Sequence, residues 1–239
     1  MIRTFQPGQR CEVWVASVTG EAELLYSTDD VLFEAPNWTL TSKGSGHALV
    51  LNGDGKLWTL DVTGGHPVEV PLTGIPDLNN DHVLAPDGES IFLSANDGHI
   101  YRASLSGGPA TRITDDDGSF HFLHGVSPDG KELAYVGIEA GDFTQPGRLM
   151  TIASDGGAIA RVDVGSGHCD GPEYSPDGKW LYRNGRPPRR LAGRRRPCFD
   201  RGLDHSPPYM ATFRRPRYPQ RQQLVAGFRA LCVGGVPNF

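Results

Sequence analysis

Apolar and polar positions alternate along most of this chain in short runs, each closed by glycine, and the same run returns several times. Lys56-Leu57-Trp58-Thr59-Leu60-Asp61-Val62-Thr63-Gly64-Gly65 is matched by His99-Ile100-Tyr101-Arg102-Ala103-Ser104-Leu105-Ser106-Gly107-Gly108 and by Arg148-Leu149-Met150-Thr151-Ile152-Ala153-Ser154-Asp155-Gly156-Gly157. An earlier copy begins Glu12-Val13-Trp14-Val15. Period-two alternation of this length predicts half-buried β-strands. Between the copies lies a second signature, a tight turn: Ala85-Pro86-Asp87-Gly88, Ser127-Pro128-Asp129-Gly130 and Ser175-Pro176-Asp177-Gly178. In each turn proline presets φ, the aspartate bonds its own backbone, and glycine takes the position with φ > 0. The turns recur after 42 and then 48 residues, the extra six fitting a hairpin extension at residues 139–147.

Four short antiparallel strands in such a period are the content of a β-propeller blade. The predicted fold is therefore all-β: a propeller of four-stranded blades, with about four blade-equivalents readable and an incomplete ring. The propeller domain covers residues 1–182, with a half blade at 11–27, blades at 33–73, 79–114 and 121–163, and an inner half blade at 168–182. An opening half blade suits a ring closed by pairing first strands with last ones, which removes sheet edges. One blade departs from the pattern. After Trp38 no Pro-Asp-Gly turn follows, which predicts a longer hairpin loop across residues 39–46.

Both signatures stop after Tyr182. Residues 183–239 form an Arg/Pro-rich tail, including Arg186-Pro187-Pro188-Arg189-Arg190-Leu191-Ala192-Gly193-Arg194-Arg195-Arg196-Pro197, whose composition predicts either disorder or the propeller gene read out of frame. Charge divides at the same place. Residues 1–182 carry 10 Lys and Arg against 26 Asp and Glu, a net −16, whereas residues 183–239 carry 13 Arg against 2 Asp, a net +11. An acidic domain with a basic tail ordinarily suggests nucleic-acid binding. The tail aromatics Phe199, Tyr209, Phe213 and Tyr218 follow no stacking motif, so no nucleic-acid partner is expected. No apolar run is long enough to cross a bilayer, and the N-terminus lacks the apolar core and cleavage site of a secretory signal. A cytoplasmic chain with no membrane partner is the expectation. Cys11, Cys169, Cys198 and Cys232 are scattered, without the paired spacing of zinc or redox sites, and are expected as reduced thiols.

Candidate chemistry lies where the chain enters each innermost strand. These segments are polar in every copy: Glu34; Asn79, Asn80, Asp81 and His82; His121 and His124; His168 and Asp170. Counting back from the turns makes His82 equivalent to His124, and Asn80 to Asp170. In a propeller such segments gather around one mouth of the central channel, where convergent polar groups mark a binding site. The predicted ligand-binding residues are Glu34, Asn79, Asn80, Asp81, His82, His124, His168 and Asp170. With the histidines His82, His124 and His168 as candidates, the set suits a divalent metal; without metal it suits a carbohydrate or a peptide terminus. The competing reading is structural, with these side chains capping strand ends and tying blades together. Trp14, Trp58 and Tyr101 recur as blade-packing residues, and His47, His66, His99 and His205, outside the pattern, are expected at the surface. Nucleophile-elbow, HExxH and phosphate-loop motifs are all missing, so no catalytic residue is assigned and no cofactor is predicted beyond that metal.

The Ser-Pro-Asp-Gly-Lys turns, with the Trp and Tyr strands after them, resemble the repeats of TolB-like proteins over about residues 11–182. More narrowly, Leu32-Phe33-Glu34-Ala35-Pro36-Asn37-Trp38, Asn79-Asn80-Asp81-His82, His124-Gly125-Val126-Ser127-Pro128-Asp129-Gly130 and Asp170-Gly171-Pro172-Glu173-Tyr174-Ser175-Pro176-Asp177-Gly178 look like a bacterial subgroup of stand-alone TolB-like propellers. That subgroup is six-bladed, which implies roughly two blades missing and a chain truncated or frameshifted after about residue 183. The periplasmic TolB protein has a signal peptide and an N-terminal α/β domain, and neither is visible here. The resemblance bears on the fold more than on the function, and the functional expectation is a non-enzymatic propeller binding a protein, peptide or small polar ligand at its channel mouth. The alternatives are a metal-assisted lyase or hydrolase acting on a sugar-derived acid, and a propeller module detached from a serine peptidase. Brief trypsin digestion followed by intact-mass analysis is expected to remove residues 183–239 first and to spare residues 11–182. A tail that outlasts the propeller would overturn this division.

Overall fold

The computed structural model describes residues 4–17, 19–40, 46–139, 142–164, 168–185 and 200–201. Among the described residues every regular element is a strand, and no helix is long and apolar enough to cross a membrane. The chain opens with an antiparallel hairpin of β1 (Cys11–Ala16) and β2 (Ala22–Thr28). The first blade is a meander of β3 (Glu34–Leu40), β4 (His47–Gly53), β5 (Lys56–Asp61) and β6 (Val68–Glu69), followed by the short β7 (Leu72–Thr73). The second blade comprises β8 (Leu78–Leu84), β9 (Ser90–Ala95) and β10 (Ile100–Ser104). After the short β11 (Gly108–Pro109) its fourth strand, β12 (Thr111–Arg112), completes it. The third blade is β13 (Ser119–Val126), β14 (Glu132–Glu139), β15 (Arg148–Ala153) and β16 (Ala160–Arg161). Last come β17 (Cys169–Tyr174) and β18 (Leu181–Gly185), an antiparallel pair to which β19 (Asp200–Arg201) adds in parallel. This is the all-β propeller of four-stranded blades that the repeat predicts.

Residues 183–185 continue β18, and 200–201 form β19. The rest of the Arg/Pro-rich tail lies outside the described residues, with Cys198, Cys232, His205, Phe199, Tyr209, Phe213 and Tyr218. So do residues 41–45 of the predicted longer hairpin loop.

The second strand of each blade explains the packing. Leu49, Val50 and Leu51 in β4, Ile91, Phe92 and Leu93 in β9, and Leu133, Ala134, Tyr135 and Val136 in β14 are all buried, on both faces of their strands. Continuous rather than alternating apolar runs arise because a blade is covered on both sides, so the core consists of seams between blades. Cys11, Val13 and Phe33 meet Leu49, Leu51 and Leu60 where the hairpin covers the first blade. Val50, Leu57 and Val70 meet Leu78, Ile91, Leu93 and Tyr101 between the first blade and the second. Ala85, Phe92 and Ile100 meet Leu123, Leu133, Tyr135 and Ile152 between the second and the third. Innermost strands lie side by side in the order β3, β8, β13, β17. At the outer rim β7 and β11 pair in parallel, Gly108 N–H donating to Pro71 O at 2.9 Å and Ala110 N–H to Thr73 O at 2.8 Å.

The repeated turns are built as their residues dictate. The Ser127 hydroxyl donates to Asp129 at 2.7 Å and accepts from the Lys131 and Glu132 N–H groups at 3.1 and 2.9 Å. Ser175 repeats this with Asp177 at 2.6 Å and Trp180 N–H at 3.0 Å. The serine hydrogen bonds hold both aspartates below the usual carboxylate range. Where the serine is replaced by Ala85, Asp87 itself accepts from the Glu89 and Ser90 N–H groups at 2.9 and 2.8 Å. Gly130 closes its turn at φ 74°, and a Cβ there would touch Pro86 only at an ordinary 3.5 Å. Conformational strain rather than space therefore sets the cost of a side chain. Gly130→Ala is expected to lower stability by roughly 1–2 kcal/mol, and Ser127→Ala by about 1 kcal/mol. Urea unfolding checks both; a Gly130→Ala chain as stable as the parent would contradict the turn's role.

Candidate functional site

All four innermost strands are irregular near their middle, at rungs that differ by about a residue from strand to strand. The ladder shifts between Glu34 and Asn37 in β3, Leu78 and His82 in β8, Leu123 and Gly125 in β13, and Asp170 and Glu173 in β17. A bulge adds a residue, bends the strand and re-aims side chains. In β3 and β17 the backbone passes through positive φ at Ala35 (48°) and Gly171 (55°), each followed by a proline that gives no ladder donor. The predicted site residues sit at or beside these bulges, so the local irregularity decides where each one points.

Glu34 opens β3 half-buried, across the ladder from Asn52. The Asn52 amide reaches the next blade and donates to Asn79 O at 2.7 Å. Asn79 folds back to accept from Asp81 N–H at 2.7 Å, and Asn80 and Asp81 are half-buried beside it. His124 Nε2 lies 3.3 Å from Asp170 Oδ1, linking β13 to β17, and Asp170 Oδ1 also accepts from Gly171 N–H at 2.9 Å. His168 is exposed and accepts from Gly147 N–H at 3.0 Å through Nδ1. Thus His124 and Asp170 are brought together, and Asn79 is tied to the neighbouring blade. Among the described residues no three His, Cys, Asp or Glu side chains are grouped to hold a metal ion.

His82 and His124 occupy different environments despite their equal distance from the turn. His82 pairs with Leu93 and is buried, whereas the rung facing Tyr135, equivalent to Leu93, is filled by Leu123, and His124 falls in the bulge. Burial pushes the His82 pKa down to about 4, the backbone of Val50 and Ala35 opposing the shift. Neither ring nitrogen of His82 has a hydrogen bond among the described residues.

His99, expected at the surface, is instead buried at 8% exposure. Its ring stacks on His121 with centroids 5.7 Å apart, Nδ1 lies 3.2 Å from Thr114 Oγ1, and Nε2 lies 2.9 Å from Asp116 Oδ1. The His121 ring and Thr114, both buried, cover it, while the exposed Asp116 reaches its Nε2, so its burial follows from neighbours that the repeat pattern ignores. His121 is buried too, donating from Nδ1 to Gly98 O at 2.6 Å, with Nε2 3.2 Å from Asp117. The available signal was positional, since His99 directly precedes β10 at the place where Lys56 opens β5 and Arg148 opens β15. His47 and His66 are exposed, as expected.

No protein-family model matches the chain. An uncharacterized protein of Agrobacterium fabrum (strain C58) is 36% identical over 171 residues, which cover 70% of this chain and 55% of that protein. A solved structure from Agrobacterium tumefaciens, provisionally assigned as TolB, is 33% identical and matches with a TM-score of 0.63 over 74% of this chain and 62% of its own. TolB from Acinetobacter baumannii shares the fold at 20% identity, with a TM-score of 0.54 over 76% of this chain and 48% of its own. The chain thus spans only about half to three fifths of the length of these relatives.

Because His82 is protonated below about pH 6.5 when unfolded but only below about 4 when folded, the unfolded chain binds the extra proton between those values. Its contribution is intact above pH 6.5 and is lost as pH falls towards 4, by roughly 3 kcal/mol in all. His82→Leu, which installs the residue type of Leu123, is expected to flatten that part of the pH–stability profile. Urea midpoints measured from pH 7 to pH 4.5 check it, and an unchanged slope would refute it.

Proposed function

We propose that this chain, a TolB-like β-propeller, is a non-enzymatic binding protein that takes a protein, peptide or small polar ligand at the channel mouth bordered by its innermost strands. The observation that carries this reading is the bulge repeated in all four of those strands. Each one gives up regular pairing next to a polar side chain, and such irregularity recurs beside functional sites. The groups beside the bulges include the acceptor carboxylates of Glu34 and Asp170, with the amides of Asn79 and Asn80, which both donate and accept. The two carboxylates favour a ligand rich in N–H or O–H donors. The net −16 of residues 1–182 steers basic partners towards the surface and repels nucleic acid.

A peptide-display selection on the immobilised chain tests the proposal. Enriched peptides are expected to be basic, to bind more weakly as salt rises, and to lose about tenfold in affinity on an Asp170→Asn, Asn80→Ala double variant, as charge-assisted hydrogen bonds are lost. Failure to enrich any peptide, or equal binding by the double variant, would rule against the mouth as the site.

A further inference from the structure

We infer that the seam between the second and third blades contains a second binding site, suited to a small zwitterion such as a free α-amino acid. It does not rest on the reading given for the bulges. A cavity of about 380 Å³ opens on the third blade's face towards that seam, bordered by Tyr135, His121, Arg148, Glu139, Asp117 and Ser119. That volume falls at the small end of ligand pockets.

The repeat supplies the comparison that makes this cavity unusual. By ladder register Tyr135 corresponds to Leu51 and Leu93, His121 to Phe33, Ser119 to Val31, and Gly137 to Gly53. In the first blade the space over Gly53 is filled, since a Cβ there would lie 2.6 Å from Val31 and 3.0 Å from Phe33. In the third blade the same positions hold a serine, an imidazole and a phenol. The Tyr135 side chain is fully buried, yet its hydroxyl has no hydrogen-bond partner among the described residues. An unbonded buried hydroxyl is costly, and leucine at this rung avoids that cost. Burial, with the charge of Asp117 acting in the same sense, raises the phenol's pKa, so it remains a donor in search of an acceptor.

The charges around the cavity define the rest of the ligand. Tyr135 and Met150 share one rung, His121, Gly137 and Arg148 the next, and Ser119 and Glu139 the one beyond. Along that face the levels of Tyr135, Arg148 and Glu139 follow one another about 7 Å apart, with Tyr135 fully buried and Arg148 and Glu139 exposed. Asp117, also bordering the cavity, accepts from Ser119 N–H at 2.9 Å and stands 3.2 Å from His121 Nε2. Among the described residues neither Arg148 nor Glu139 forms an ion pair. A simple anion would suit Tyr135 and Arg148 but meet the carboxylates of Glu139 and Asp117, whereas a simple cation would leave both donors unused. A molecule with a carboxylate directed inward and an ammonium facing Glu139 and Asp117 satisfies both sets.

The test is calorimetric titration of the full chain with each proteinogenic L-amino acid, then with the N-acetyl and methyl-ester derivatives of those that bind. At least one free amino acid is expected to bind, and each blocked form to bind at least tenfold more weakly. Tyr135→Phe, which keeps the ring at a rung where other blades carry leucine, is expected to weaken binding about tenfold while leaving the melting temperature at or above that of the parent. Gly137→Leu, filling the cavity, is expected to abolish binding, and Lys56→Ala, exposed on the first blade, to leave it unchanged. The proposal fails if no free amino acid binds, which would leave the cavity to solvent alone. It fails equally if blocked forms bind as well as free ones, or if folded Tyr135→Phe binds as tightly as the parent.

Discussion

The seam between neighbouring blades is the constraint on which the rest of the structure depends. A four-stranded sheet of this size has no core of its own, and its second strand is apolar on both faces, so each blade is stable only when its neighbours cover it. Leu49 and Leu51 face the opening hairpin while Val50 faces the second blade, and Phe92 and Leu93 divide in the same way between the second blade's two neighbours. Stability is then close to a sum over seams, as in other repeat proteins. Among the described residues the opening hairpin and the β17–β18 pair have a seam on one side only. Leu24, Trp180 and Tyr182, three of the exposed large apolar side chains, belong to those two elements.

Seams also explain why the innermost strands carry the polar residues. Towards the axis the strands converge, and β13 approaches β17 so closely that a Cβ at Gly125 would lie 2.8 Å from Pro172 O. Large apolar side chains do not fit at such a crossing, and a bulge relieves the crowding by bending the strand. Its cost is lost ladder pairing, offset by polar contacts between blades, such as Asn52 with Asn79 O and His124 with Asp170. The same geometry that permits packing near the axis therefore presents hydrogen-bonding groups there.

The fold was legible because its turns and third strands demand particular residues: serine to accept backbone N–H groups, glycine for φ > 0, alternation for a strand beside the outer rim. The β7–β11 pairing was not, since two residues per strand leave no pattern. The candidate site was legible in composition but not in orientation. Counting from the turn aligned His82 with His124, yet the bulges differ by a residue, and in a strand one residue exchanges the two faces. His82 is consequently buried and neutral while His124 reaches a carboxylate on the next strand. His99 failed for another reason. Its place next to the third strand was read correctly, but its burial comes from contact with Thr114 and with the His121 ring of the next blade, contacts that the turn-and-strand pattern does not encode.

A repeat protein contains its own controls, because the same rung is occupied several times on nearly the same backbone. Where all copies agree, as at the small residues Gly53, Ala95 and Gly137, packing accounts for the choice. Where one copy departs together with its neighbours, packing does not. Val31, Phe33 and Leu51 form an apolar wall in the first blade, and Ser119, His121 and Tyr135 replace all three in the third. A single polar substitution in a seam would be a tolerated defect. Three on one wall, around a space that the first blade fills with side chains, have the character of a site, because each added polar group raises the cost of burial unless something binds there.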